Sequence, residues 1–231
     1  MRALPGVVVG AVVAVAVVRV TPRPLLRRRP DRLAVNAQAA AEERPRPQYD
    51  TGLILALPQL AAFTSPWRST SYVPGHPALP IERRFPPHVT LLAPWAPADD
   101  GEALERLRAV AQRGRPLRIE FTAADLFPES GVVYLTPTPT AELTELFDDV
   151  LATFPDHPPY GGLHDTVVPH LTVSADGGPA QLAQVRAALA EHGPVWAETD
   201  RICVFGRGDD DIWRQTASVV LGSGDLAPHC L

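Results

Sequence analysis

The pattern Pro-His-apolar-Thr occurs twice in this chain, as Pro87-His88-Val89-Thr90 and as Pro169-His170-Leu171-Thr172, and its surroundings repeat with it. The two histidines stand 82 positions apart (170 − 88). Each copy opens an apolar run, Val89-Thr90-Leu91-Leu92-Ala93 in the first and Leu171-Thr172-Val173 in the second. Alternate side chains of an extended strand share a face, so His88 and Thr90 point one way while Val89 and Leu91 point the other. His170 and Thr172 stand against Leu171 and Val173 in the same manner. After His88 the spacing predicts a helix over 100–113, a strand with Leu117, Ile119 and Phe121 on one face, and a strand from Val132 to Thr136. After His170 it predicts a helix over 179–192, a strand from Ile202 to Phe205 and another over 214–221. Corresponding elements keep nearly the histidine offset, as with Leu117 and Ile202, which are 85 apart (202 − 117). A strand–helix–strand–strand unit used twice predicts two pseudo-symmetric lobes, each presenting one histidine to a shared cleft.

A single copy of the pattern reads as a capped strand end. Two copies in matched surroundings read as one site. Two imidazoles, each with a hydroxyl beside it on a polar strand face, suit a metal-free phosphodiester reaction. One imidazole takes the proton of the attacking oxygen, the other gives a proton to the leaving oxygen, and the hydroxyls hold the phosphate.

Bulk properties narrow the partners. Of 231 residues 45% are hydrophobic and 20% charged, which supports a real core, and the 26 prolines gather in loops and in the first 50 positions. A net charge of −5 and a pI near 5.8 argue against a protein that coats long nucleic acid. A small nucleotide or an RNA terminus needs only local positive charge, for which Arg83 and Arg84, just ahead of His88, are candidates beside the plainer reading of a solvated loop. Of the two cysteines, Cys203 reads as a small buried hydrophobe in an apolar strand and Cys230 is the penultimate residue. The chain has no C-x-x-C, no H-E-x-x-H and no dense Asp/His cluster. The expectation is therefore no zinc or other metal, no cofactor and no structural disulfide.

Residues 1–48 differ from the rest. Ala3–Val18 is an uncharged run of mostly Val and Ala, shorter than the roughly 20 residues that span a bilayer. Its arginines follow the apolar stretch, opposite to the order of a signal peptide. Three readings stand: membrane attachment through residues 3–18 with the main domain in the cytoplasm, a signal-like segment, or an extension outside the working protein. The folded unit is expected over 49–224, with a tail at 225–231 and a monomeric state. Within it Thr51–Leu57 suits a buried central strand, and 58–86 suits a short helix and a mobile flap, with Trp67, Arg68 and Tyr72 inside it. Asp99 or Asp100 caps the 100–113 helix, which ends at Gly114; a helix over 139–154 opens on Pro139, and that over 179–192 runs from Pro179 to Gly193. Their apolar stripes (Leu107 and Val110; Leu146 and Val150; Val185 and Leu189) are core. Asp209-Asp210-Asp211 marks a hairpin turn.

With these features in hand, residues 50–222 resemble the two-histidine (2H) phosphoesterase superfamily, in particular its 2'-5' RNA ligase-like branch. The likeness rests on FPPHVTLLAPW around His88, VVPHLTVSAD around His170, the intervening VVYLTPTP and PDHPPYGG, and the closing WR…VVLG. It implies an α+β fold of two antiparallel lobes with outer helices and a central cleft. It also implies a 2',3'-cyclic phosphodiesterase or a 2'-5' RNA ligase acting on RNA ends or small nucleotides. His88 and His170 would be the acid/base pair, and Thr90 and Thr172 would hold the phosphate oxygens. Tyr134 and Tyr160 are candidates for stacking a base, Arg84 for contacting the phosphate, and His157 and His164 for substrate contact. One departure is Ala93, where the family often has an aromatic ahead of the retained Pro94-Trp95; a changed base pocket would follow. Two other readings remain: a binding protein that keeps the cleft without turnover, and an enzyme on a non-RNA cyclic phosphate.

Overall fold

A computed structural model describes residues 51–68, 85–97, 99–162, 167–175, 177–209 and 213–228. The expectations for residues 1–48, the 69–84 part of the 58–86 segment, Arg83, Arg84, His164 and most of the 209–211 turn lie outside the described residues. Among the described residues there are eight strands: β1 (Thr51–Ala56), β2 (His88–Leu92), β3 (Leu117–Leu126), β4 (Val133–Pro137), β5 (Leu171–Ser174), β6 (Val195–Thr199), β7 (Arg201–Arg207) and β8 (Trp213–Val220). The helices are a single turn, α1 (Ala61–Thr64), and three longer ones, α2 (Gly101–Arg113), α3 (Ala141–Thr153) and α4 (Gly178–His192). All pairings are antiparallel, in one sheet of order β6-β3-β4-β5-β2-β1-β7-β8.

The sheet has a seam. Between β2 and β5 one position is paired, Val89 opposite Leu171, whereas every other neighbour pair shares three or more. The seam divides the sheet into two four-stranded halves, β2-β1-β7-β8 and β5-β4-β3-β6, which are the two lobes of an α+β fold. The halves interleave the two sequence units. β3 and β4, which follow His88, lie in the His170 half, and β7 and β8, which follow His170, lie in the His88 half. Both edges of β2 are taken, by β1 and β5, so the strand that follows α2 has to add elsewhere.

Period-2 alternation sorts the two faces. Leu53 and Leu55 of β1, Val89 and Leu91 of β2, Leu171 and Val173 of β5 and Val204 of β7 turn to one side and join Leu107, Leu146, Val150 and Val185 of the helices in a single buried cluster. The other face belongs to the cleft. On the His88 half it is apolar, with Ile54, Ala56, Cys203 and Phe205 buried together and Phe85 and Trp213 packed against them. On the His170 half it is polar, since Arg118 and Glu120 of β3 lie opposite Glu198 and Trp196 of β6.

The helix ends follow capping chemistry, with one shift from expectation. Asp100 Oδ1 accepts from the Ala103 N–H at 2.9 Å, as an N-cap should. Thr140 caps α3 by accepting from the Leu143 N–H at 3.2 Å, so Pro139 stands one residue before the cap and not in the first turn. The cap position needs a side-chain acceptor, which proline lacks. Gly193 ends α4 at φ 78°, where a Cβ would be strained.

Two further expectations change. β6 was not foreseen, because it buries only Ala197 firmly while Trp196 and Glu198 are exposed; an edge strand with one inward residue has no readable alternation. Cys203 is fully buried as expected but is disulfide-bonded, against the expectation of none. Past β8 the chain doubles back along it, with Val219 bridged to Leu226 and Ser218 Oγ donating to the carbonyls of Ala227 and Pro228. Among the described residues, no helix is long and apolar enough to cross a membrane.

Since the seam has so few ladder bonds, its apolar side must hold it. Leu171→Ala is expected to lower unfolding stability by about 2–5 kcal/mol, as for other fully buried leucines. A urea titration against the unaltered chain checks this.

Candidate active site

The two prolines set up the two histidines. Proline fixes its own φ and keeps the preceding residue extended. The chain therefore enters each strand straight, with the carbonyl two residues back lying against the imidazole. His88 Nδ1 donates to the Pro86 carbonyl at 2.7 Å, and His170 Nδ1 donates to the Val168 carbonyl at 2.7 Å. A carbonyl can only accept, so Nδ1 carries the proton in both rings and Nε2 is the basic nitrogen of the neutral form.

The seam brings the rings together. With Val89 opposite Leu171, one step either way along antiparallel strands sets His88 beside Thr172 and Thr90 beside His170 on the cleft face. Directly opposed side chains lie about 5 Å apart at Cβ and diagonal ones about 7–8 Å. Each imidazole thus has the other strand's hydroxyl as its cross-strand neighbour and the other imidazole on its diagonal. The row continues to Ala56 of β1 beyond His88, and to Tyr134 of β4 beyond Thr172.

Burial and charge act on both rings. His88 is lowered to about 4, first by desolvation, then by the positive charges of Arg68 and His170, against which the Pro86 hydrogen bond works in the opposite sense. His170 is lowered by desolvation, opposed by its bond to Val168. Aromatic rings complete the packing. Phe85 lies 4.4 Å from His88 between centroids and 4.6 Å from Phe205. Phe127 and Tyr134 meet His170 edge-on at 5.0 and 5.4 Å.

The remaining candidates separate. Tyr134 shares the face of Thr172 but is buried, stacked on Phe127 at 4.2 Å. It is a wall of the His170 pocket and not an open platform for a base. The β3–β4 hairpin causes this, since Phe127 N–H donates to the Val132 carbonyl at 3.0 Å and carries its ring over Tyr134. Burial, then the Asp125 carboxylate, raise the Tyr134 phenol. Tyr160 is anchored by its N–H to the Ala93 carbonyl at 2.6 Å, in the left-handed region at φ 53°. Ala93 is five residues past His88, about 16 Å along an extended strand, so Tyr160 belongs to the far end of β2. His157 is tied to the Phe154 carbonyl by its N–H, in the turn after α3. Trp95 is fully buried against Phe154 and belongs to the core. Three residues at the imidazoles were not singled out from the sequence: Arg68, Phe85 and Phe127. Phe85 stood within the FPPHVT stretch, and its nearness to His88 was the available signal; the others reach the site through tertiary structure. No three His, Cys, Asp or Glu side chains among the described residues gather as a metal site.

The geometry can be compared with known proteins. The family model for the 2'-5' RNA ligase superfamily matches residues 57–211, more than half of the chain. No curated protein matches the sequence. Among solved structures, E. coli LigT complexed with NADP+ is similar at 14% identity, covering 75% of this chain and 97% of that one, with a TM-score of 0.50. E. coli LigT complexed with 3'-AMP (16% identity, TM-score 0.48) and TT0787 of Thermus thermophilus (16%, 0.47) cover the same share of this chain and 98% of their own. At these identities the likeness shows the fold alone.

The depressed His88 carries a stability consequence. Its folded value near 4 lies below the unfolded value of 6.5, so the unfolded chain binds more protons between those limits. The contribution is complete above pH 6.5 and is lost as pH falls towards 4. Urea midpoints at pH 7 and pH 4.5 are expected to differ more for the unaltered chain than for His88→Gln, which takes up no proton there.

Proposed function

From the premise that this chain belongs to the 2'-5' RNA ligase superfamily, and is therefore of 2H phosphoesterase type, we propose that its cleft opens 2',3'-cyclic phosphates on RNA ends or small nucleotides. The same groups run in reverse would form a 2'-5' linkage. The observation that carries the reading is the seam register. It sets two imidazoles on a diagonal with a hydroxyl opposite each, and each ring has its Nδ1 engaged by a carbonyl, so proton exchange falls to the two Nε2 atoms. One Nε2 accepts the proton of the attacking water while the other, protonated, donates to the departing 3'-oxygen. Thr90 and Thr172 donate to the non-bridging oxygens, whose charge grows in the transition state. No step in this scheme calls for a metal ion. That LigT, which shares the fold, was crystallised with NADP+ supports a ligand of nucleotide size. Arg84 remains a proposed phosphate contact; Tyr160 is proposed only for a ligand long enough to reach the far end of β2. The catalytic unit is proposed to be residues 49–224.

Both imidazoles lie below their ordinary value, so without substrate the pair is neutral at pH 7. The pH profile of kcat/KM follows the free enzyme, which needs one ring neutral and one protonated. Its maximum is expected on the acid side of pH 6.5. The function is tested with the full chain, nucleoside 2',3'-cyclic phosphates and EDTA present. His88→Ala and His170→Ala are each expected to lower turnover by about 10²–10⁴-fold. Binding of the cyclic nucleotide without turnover by the unaltered chain would instead indicate a protein that only binds. Thr172→Val is expected to lower kcat by about 10²-fold, as for loss of one oxyanion donor; an unchanged rate would remove Thr172 from the mechanism.

A further inference from the structure

The two imidazoles match in their own hydrogen bonds and differ in what stands behind them. His170 is met edge-on by the rings of Phe127 and Tyr134, and its proton affinity is lowered by desolvation and raised by the bond to the Val168 carbonyl. His88 has a cation. The Arg68 guanidinium, just past α1, donates to the Phe85 carbonyl. The next carbonyl along, that of Pro86, takes the Nδ1–H of His88, and the Phe85 ring packs on the imidazole at 4.4 Å. Guanidinium and imidazole are therefore held by consecutive carbonyls of one extended segment. We propose that Arg68 is a positioning residue that keeps His88 as the neutral, proton-accepting member of the pair and leaves His170 as the proton donor. The assignment of roles rests on the phosphodiester reading above.

The physical argument is one of unequal surroundings. A cation near an imidazole opposes its protonation, and Arg68 and His170 both act on His88 in this sense. β1 presents Ile54 and Ala56 on this side, β5 presents Thr172, and Tyr134 of β4 is a phenol whose raised value keeps its proton at neutral pH, with Asp125 of β3 beyond it. For opening of the cyclic ester, the oxygen of water bonds to phosphorus as the bond from phosphorus to the 3'-oxygen breaks. The proton of water passes to His88 Nε2, and the proton on His170 Nε2 passes to the 3'-oxygen. The sum is hydrolysis, with no change of oxidation state.

The test reads the imidazoles directly, by NMR titration of their Cε1–H signals in the full chain without substrate, assigned with His88→Gln and His170→Gln. In the unaltered chain His88 is expected to titrate below His170; the reverse order overturns the proposal whatever the variants do. In Arg68→Gln the His88 midpoint is expected to rise by about one pH unit while Arg68→Lys, which keeps the charge, leaves it in place. The acid limb of kcat/KM should move with it. A His88 midpoint that stays put in folded Arg68→Gln, or that moves equally in Arg68→Lys, also overturns it. A chain that turns over no cyclic phosphate, yet shows the expected order and the Arg68→Gln shift, would sink the phosphodiester reading and leave the electrostatic role of Arg68 standing.

Discussion

The pairing of Val89 with Leu171 is the contact on which the rest depends. It joins two four-stranded halves at a single position, and that position fixes the register of everything on the opposite face. A slip of one residue would turn His88 and Thr90 from the cleft into the helix-covered side, because side chains alternate with period two. A slip of two would keep the faces but move each hydroxyl away from its imidazole. Ladder bonds at the seam are too few to hold it against either slip. The apolar side chains beneath do so: Val89, Leu91, Leu171 and Val173 sit in one buried cluster with the helices, and slippage would leave that cluster unfilled. The core is thus what sets the distance between the catalytic candidates.

Local patterning explains how much could be read in advance. The shared face of His88 with Thr90 and of His170 with Thr172 needs only strand periodicity, and the stripes of α2, α3 and α4 need only helical periodicity. That the two motif strands lie side by side is not local, and the repeated surroundings of the motif were the sole clue to it. The interleaving of the halves left no such clue, since nothing in a strand's own residues says which edge it joins. Arg68 shows the same limit. It lies twenty positions before His88 and reaches it through the bend after α1, so only the folded chain shows that it acts there. Tyr134 is a different case. Its face was legible, but its exposure was not, because the stacked Phe127 that buries it arrives through the β3–β4 hairpin. The bonded state of Cys203 likewise depends on long-range approach, which the spacing of two cysteines does not announce.

The cleft face itself is unequal. Beside His88 it is apolar and aromatic, through Ile54, Phe205, Phe85 and Trp213. On the other half it is charged, with Arg118 opposite Glu198 and stacked over Trp196 at 4.0 Å. A ligand centred on the seam would therefore meet a surface that excludes water on one side and one that retains it on the other. Desolvation is the leading influence on both imidazoles, but the apolar half is where it is reinforced by a cation. Two motifs nearly identical in sequence thus come to stand in different surroundings, and the difference arises in the walls.

The prolines ahead of the histidines contribute to this chemistry without touching a ligand. Each straightens the chain so that the carbonyl two residues before the ring receives its Nδ1–H. That bond favours the protonated ring, since a cationic imidazole is the stronger donor, and so it works against desolvation. Without it, burial alone would drive both rings further from the range in which a proton can be exchanged. The bond also selects the tautomer, so that Nε2 is basic in the neutral ring and carries the transferable proton in the charged one. A residue other than proline at 87 or 169 would leave the strand and its core contacts possible but would loosen the approach of that carbonyl. The first consequence would be in the tautomer and proton affinity of the ring, with the fold largely untouched. Pro-His-apolar-Thr is in this sense one unit. Proline aims the imidazole, the apolar residue locks the register, and threonine faces the imidazole of the opposite strand.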